Sequence, residues 1–376
     1  MQTARRFSSA GPRGFDWALI ILALTLLGLG LLMVRSATAT LSGPTTPLWE
    51  RPVIRQAANA GIGLIGLVVA SLINYRLWGR WRWPVYGAIV ALLAAVLVAG
   101  HVSFGAQSWF DLRAFALQPS ELAKLALILV LARFLADHET QIRRGTALFT
   151  SALVALPVLL LTVAQPDMGT AAVMGAIWVG MLLMAGLRPR HAAILALAGV
   201  ILAPLAWSAM QPYMRERIMM VVNPHSDPSG RDYNVIQALI AIGSGGLWGK
   251  GLGQGTQSQL FFLRVRHTDF IFSVLAEELG FVGCMLVLTL LAALIVRIVR
   301  VGSLAGDAYG RLVATGVAIM IFVQVAVNVG FNVGMLPVTG LPLPLISYGG
   351  SSLVATLAGL GLVESIALYH QPSEAA

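Results

Sequence analysis

Residues 17–34 of this chain, WALIILALTLLGLGLLMV, carry no charge and follow Arg5, Arg6, Arg13 and Asp16. A run of about 20 apolar residues is long enough to cross ~30 Å of hydrocarbon as a helix. Such runs recur along the whole chain and admit few alternatives to a bundle of membrane helices. Composition agrees: 57% of the residues are hydrophobic and 11% charged, with a mean hydropathy of +0.81. Soluble domains carry about 25% charged residues, so this chain cannot clothe its apolar surface in water. The first run resembles a secretory signal, with ATA behind it, but its apolar part exceeds the usual length. It is read as a retained first helix. Cys284 is the single cysteine; it permits no internal disulfide, and its apolar neighbours place it in a span.

The length criterion gives about ten spans, centred near Leu26, Leu64, Leu93, Ile128, Val158, Ile177, Val200, Val282, Val323 and Leu360. The connections alternate in charge. Arg5, Arg6 and Arg13; Arg76, Arg80 and Arg82; Arg143 and Arg144; Arg188 and Arg190; and Arg297, Arg300 and Arg311 fall on one side. The short connections of the other side hold few cations. The positive-inside rule then puts residues 1–15 and 370–376 in the cytoplasm, as an even number of spans requires. The formal charge of +9 is explained by this topology rather than by nucleic-acid binding. The chain reads as one polytopic all-α membrane domain, 1–376.

One connection breaks the rhythm: residues 212–269, between spans 7 and 8 on the outer side, form a loop far longer than the rest. Loops this long are functional or disordered. Its centre, YNVIQALIAIGSGGLWGKGLGQG, begins like an apolar helix and then has seven glycines in thirteen residues. That pattern suggests a re-entrant or interfacial element. A phosphate-loop reading fails, because Ser244 stands five residues before Gly249 and Gly251 follows Lys250. What survives is a glycine-rich backbone near cations, able to approach an anionic group closely. No Cys-rich or H-E-x-x-H metal pattern is present.

Several ionisable residues sit where membrane runs begin. His267-Thr268-Asp269 opens an apolar run; Thr and Asp there suit a helix N-cap, and the Asp equally suits a carboxylate at the membrane–water boundary that takes a proton. Glu277 and Glu278 lie eight and nine residues further on, ~12–13.5 Å along a helix. Carboxylates sharing one sugar bond lie roughly 5–9.5 Å apart, so these two are assigned to capping or pairing inside the bundle. Glu121 and Lys124 are neighbours on one helix face, as an ion pair or as part of a polar cavity. Asp167, in QPDMGT, is a turn acid or an acid beside an outer substrate. The last outer connection, GMLPVTGLPLPLISYGGSS, is uncharged broken backbone, tolerated at membrane depth only where protein or a cavity shelters it. It is read as one wall of a groove.

LQPSELAKLA, AQPDMGT, YNVIQALIAIGSGGLWGKGLGQGTQSQ, HTDFIFSVLAEELGFVG and GMLPVTGLPLPLISYGGSS, in this order, resemble the SEDS family of cell-wall proteins, of RodA/FtsW type. LPVTGLPLP looks like the elongation branch; the division branch usually has Lys where Thr339 stands. The chain departs from the family at Ser108, where Arg is common, at Phe261, where an acid is common, and at Arg264-Val265, where Pro-Glu is common. No second outer acid is therefore carried over.

The resemblance implies a peptidoglycan glycosyltransferase that polymerises lipid II at the outer face of the bacterial inner membrane during elongation. Asp269 matches the family's essential aspartate, and Asp167, Glu121 and Lys124 match motif residues around its central cavity. Asp269 would be the general base on the acceptor GlcNAc 4-hydroxyl, which attacks C1 of the donor MurNAc as undecaprenyl pyrophosphate leaves with inversion. Arg215, Arg217, Lys250, Arg264 and Arg266 are candidate pyrophosphate cations, and His267 a further substrate contact. A divalent cation, Mg or Mn, can share that work; no organic cofactor is expected. Expected partners are a class B penicillin-binding protein and elongation-machinery membrane proteins. The rivals are a lipid II flippase, though transporters place sites near the midplane, often with inverted repeats, and a scaffold, which would not need the border carboxylate.

Overall fold

The computed structural model describes residues 14–41, 46–103, 106–111, 116–138, 142, 146–222, 233–263 and 265–369. The expected cytoplasmic tail 370–376, most of the 1–15 segment, and Arg264 lie outside them. The helices are α1 (Trp17–Ala37), α2 (Pro52–Leu72), α3 (Tyr75–Arg80), α4 (Arg82–Ala99), α5 (Pro119–Asp137), α6 (Thr146–Ala164), α7 (Met168–Met184), α8 (Pro189–Ala209), α9 (Pro212–Val222), α10 (Tyr233–Gly245), α11 (Thr256–Gln259), α12 (Ile271–Leu304), α13 (Ala308–Asn332) and α14 (Gly350–Tyr369). All ten expected span centres fall inside a helix.

Seven of these helices, α1, α2, α4, α6, α12, α13 and α14, are long and apolar enough to cross a membrane. The apolar stretches of α7 and α8 are shorter. α5 is 19 residues long but carries Glu121, Lys124, Arg133 and Asp137, and the first two are buried in the bundle. The core runs through α5, α13 and α14, with α2 laid on α14. A Cβ on Gly361 would stand 2.4 Å from the Leu67 carbonyl, and one on Gly63 would stand 2.5 Å from the Leu357 side chain. Small residues on both helices thus let the backbones approach, the usual device where lipid removes the hydrophobic drive between helices.

Between α4 and α5 the chain forms a small antiparallel sheet that the search for apolar runs passes over: β1 (His101–Ser103), β2 (Ala106–Asp111) and β3 (Ala116–Leu117), in that order. Ser108 is buried in β2 and donates to the Gln165 carbonyl, 3.1 Å. The serine that replaces the family's common arginine thus ties the sheet to the turn before Asp167.

The glycine-rich stretch after α10 has a role different from the one its composition suggested. Its backbone docks on α12, where Gly280 breaks the helix with φ 67° and ψ −167°. Lys250 and Gly251 N–H donate to the Glu277 and Glu278 carbonyls, and Phe281 and Val282 N–H donate to the Gly246 and Leu247 carbonyls, all at 2.9–3.1 Å. A Cβ on Gly249, whose φ is +78°, would lie 2.2 Å from the Glu278 carbonyl oxygen. The close approach is to the protein's own backbone, which satisfies polar groups that a broken helix would leave bare.

Candidate active site

Asp269 lies in the turn just before α12, half-buried at one end of the bundle. Each carbonyl of the His267-Thr268-Asp269 tripeptide is held from elsewhere in the chain. Tyr348 N–H donates to His267 O (2.9 Å), and Ser347 Oγ donates to Thr268 O (2.7 Å). Asn328 and Asn332, at the C-terminal end of α13, both donate to Asp269 O, at 3.1 and 3.0 Å. Asn332 also accepts from Ser273 Oγ (2.6 Å), and Asn328 donates to Leu341 O (2.7 Å). Gln56 of α2 clamps the other side, donating to Ser347 O (3.0 Å) and accepting from Gly349 N–H (3.2 Å). The carboxylate is thus mounted on a backbone held at every carbonyl of the tripeptide. Burial raises the Asp269 carboxyl to about 6 against an ordinary 3.8; the Thr268 side chain and the charge of Arg217 pull the other way.

The segment 338–342 passes beside this carboxylate. A Cβ on Gly340 would stand 4.0 Å from Asp269 Oδ2, and one on Gly169 would stand 2.6 Å from the Thr339 carbonyl. The last connection therefore bridges Asp269 and the start of α7. Asp167 caps α7 by accepting from Thr170 N–H (3.1 Å) and also accepts from Gln118 Nε2 (2.9 Å) and Ser120 Oγ (3.1 Å). Asp167 is thus the helix-start acid that the turn suggested, and the α7 it caps meets the 338–342 segment through Gly169. Burial pushes its carboxyl above the usual range; the N–H and side chain of Thr170 lower it, and Glu121 and Lys124 act in opposite senses. Glu121 and Lys124 form a buried ion pair at 2.7 Å.

The expected cations separate into two groups. Lys250 pairs with Glu277 at 2.8 Å, and Glu277 also accepts from Thr256 Oγ1 and the N–H groups of Gln257 and Ser258. Glu278 accepts from Ser36 Oγ at 2.5 Å. Both glutamates therefore pair inside the bundle, as their spacing suggested. Arg266 is 1% exposed and caps the end of α1, donating to Ala37 O (2.6 Å) and Thr40 Oγ1 (2.8 Å). Its guanidinium lies 4.3 Å over the ring of Phe261, which adopts φ 64°, so Phe261 meets the cation through its face where relatives often have an acid. Arg215 is half-buried and donates to Ser208 O (2.7 Å). Arg217 is exposed, donates to Val338 O (3.3 Å), and is the cation whose charge acts on Asp269. His267 packs edge-on against Tyr348, with centroids 5.3 Å apart, and burial followed by the Arg266 charge lowers its pKa, favouring the neutral ring. Among the described residues, no three His, Cys, Asp or Glu side chains gather as a metal site.

Asn328, Asn332, Ser347 and Gln56 were not singled out by sequence. They are uncharged and sit in or beside apolar runs; a buried amide in a span is the one available sign.

The chain matches the cell cycle protein family FtsW/RodA/SpoVE over residues 16–372. It is 41% identical to peptidoglycan glycosyltransferase MrdB of Escherichia coli K12 over 357 residues, covering 95% of this chain and 94% of that protein. It is 40% identical to stage V sporulation protein E of Bacillus subtilis, covering 95% and 98%. Among solved structures it resembles a chain of a peptidoglycan synthase complex that coordinates polymerization and crosslinking, with TM-score 0.80, 37% identity and coverage of 94% and 97%. It also resembles the rod shape determining protein RodA of Thermus thermophilus, with TM-score 0.71, 35% identity and coverage of 95% and 99%. On these matches, which span nearly its whole length, the chain belongs to the FtsW/RodA/SpoVE family of multi-pass membrane proteins.

Proposed function

We propose that this chain is a peptidoglycan glycosyltransferase that polymerises lipid II, with Asp269 as its general base. The observation that carries the assignment is a single half-buried carboxylate, raised to about 6 and fixed by its backbone at the lip of a membrane bundle. A base works best when its pKa lies near the operating pH. Lipid II has its lipid in the bilayer and its sugars in water, so its reacting atoms belong at that lip.

Asp269 takes the proton of the acceptor's sugar hydroxyl. The freed oxygen attacks C1 of the donor sugar from the opposite face, the C1–O bond to phosphate breaks, and the lipid pyrophosphate leaves. Arg217 is the described cation best placed to meet that charge, with Arg215 on the same helix. Lys250 and Arg266 serve the frame instead, since Glu277 and the end of α1 already occupy them. A divalent cation would come as a companion of the pyrophosphate; the residues described do not build a resident site, and no step is assigned to one.

The arginine alternation supports a bacterial cytoplasmic membrane with both termini inside and the active face outside. Family membership and the likeness to a chain of a peptidoglycan synthase complex support a transpeptidase partner of the class B penicillin-binding type and a place in the elongation machinery.

The test is a product gel from purified protein, lipid II and, where required, that partner. Wild type should give a glycan ladder, and Asp269→Asn should lose ~10²–10⁴-fold of it while staying folded, because Asn keeps the shape of Asp and α12, contrary to the N-cap expectation, starts at Phe270 with no side-chain cap to lose. Near wild-type polymerisation by Asp269→Asn would move the base elsewhere, with Asp167 first in line.

A further inference from the structure

The wall beside Asp269 holds a hydroxyl that no intramolecular contact uses. Thr339 Oγ1 is buried and has no hydrogen-bond partner. Its surroundings are otherwise fixed on every side. The preceding carbonyl, Val338 O, accepts from Arg217, and Leu341 O accepts from Asn328. Thr339 O and Cβ rest against Gly169, where a Cβ would come within 2.6 and 3.1 Å of them. The following residue, Gly340, faces Asp269 Oδ2, at 4.0 Å from its would-be Cβ. A buried hydroxyl left unpaired is unfavourable, and a valine would fill nearly the same shape without that cost. A second unpartnered buried atom, His267 Nδ1, lies in the tripeptide that ends at Asp269.

Resting on the glycosyl-transfer reading above, we propose that the Thr339 hydroxyl hydrogen-bonds a polar substituent of the acceptor sugar, beside the hydroxyl that Asp269 deprotonates. A hydroxyl both donates and accepts, which suits the hydroxyl and acetamido groups of an amino sugar. The pyrophosphate of the donor calls for cations instead, and the cation of this wall is Arg217, one residue of chain away at Val338. Thr339 is thus a substrate-positioning residue on the acceptor side. It moves no proton of its own.

The experiment compares full-length wild type, Thr339→Val, Thr339→Ser and Asp269→Asn by lipid II titration and by melting temperature. Thr339→Val should lower kcat/KM about five- to tenfold, the size of one neutral hydrogen bond, while melting at the same temperature or higher. Thr339→Ser should stay within about twofold of wild type on the same scale. Wild-type kinetics in Thr339→Val would overturn the contact, and so would a lower melting temperature with equal losses in both variants, which marks a structural hydroxyl. A folded wild type that makes no glycan would sink the polymerase reading instead. In that event, the rise in melting temperature on adding lipid II still tests the contact: it should be smaller in Thr339→Val than in wild type, and equal rises would overturn it.

Discussion

Asp269→Asn separates what the carboxylate does for the reaction from what it does for the fold. Its carboxyl sits at about 6 against an ordinary 3.8. An acid whose folded pKa is raised binds its proton more tightly in the folded state. Its penalty is absent below the ordinary value, grows as pH rises from about 4 to about 6, and is complete above that. At ~1.36 kcal/mol per pH unit, the full penalty is at most ~3 kcal/mol. Asp269 is half-buried, and solvent screening reduces this to ~1–2 kcal/mol. Asn keeps the shape and carries no charge, so the variant should be dead in polymerisation yet more stable at neutral pH. The assay is a melting curve in detergent at pH 4 and pH 7.5, with lipid II polymerisation followed across the same range. Asn should raise the melting temperature at pH 7.5 and leave it nearly unchanged at pH 4, and the wild-type rate should climb with pH to half its plateau near 6. A variant that melts lower than wild type at pH 7.5 would refute the claim that burial opposes the charge. A wild-type rate with no inflection between pH 5 and 7 would refute the role as base.

Gly169→Ala adds a methyl 2.6 Å from the Thr339 carbonyl; the helix gains up to ~1 kcal/mol but the wall must shift, so activity should fall with α7 intact by circular dichroism. Arg217→Gln should cut kcat/KM roughly tenfold at unchanged melting temperature. Lys250→Met should instead destabilise by ~1.5–3 kcal/mol, because it strips the cation from Glu277; a purely kinetic effect there would restore Lys250 to the phosphate site. The arginine alternation predicts that, in a Cys284→Ala background, a cysteine replacing Trp248, 79% exposed in the glycine-rich stretch, should react with an impermeant thiol reagent from outside. One replacing Trp81, 64% exposed, should not, and the reverse pattern would invert the topology.

The spans were legible because bilayer thickness writes itself into the chain as apolar length, and Asp269 because a carboxylate at the edge of such a run is costly and therefore informative. The ion pair of Glu121 and Lys124 followed from helical spacing alone. The mounting of Asp269 did not. Asn328 and Asn332 meet a carbonyl 59 and 63 residues away in sequence, and Gln56 reaches Ser347 across 291; no local periodicity encodes such partners. The glycine-rich stretch was half legible for a related reason: composition announces that a backbone can come close to something, and the fold alone says that here it is the backbone of α12. Arg266 looked like its neighbours until its burial showed that α1 claims it.

The break at Gly280 makes α12 two rods with a joint. The first rod, residues 271–279, follows directly from the turn that bears Asp269, and the glycine-rich loop pins both rods, at the Glu277 and Glu278 carbonyls on one side of the joint and at the Phe281 and Val282 N–H groups on the other. The second rod, residues 281–304, carries the rest of the apolar run. The joint is therefore splinted: one loop holds both rods, and with them the turn that carries the carboxylate. Gly280→Ala would put a methyl at φ +67° and 2.3 Å from the Gly249 nitrogen, so the loop must move off α12, and stability and catalysis should fall together.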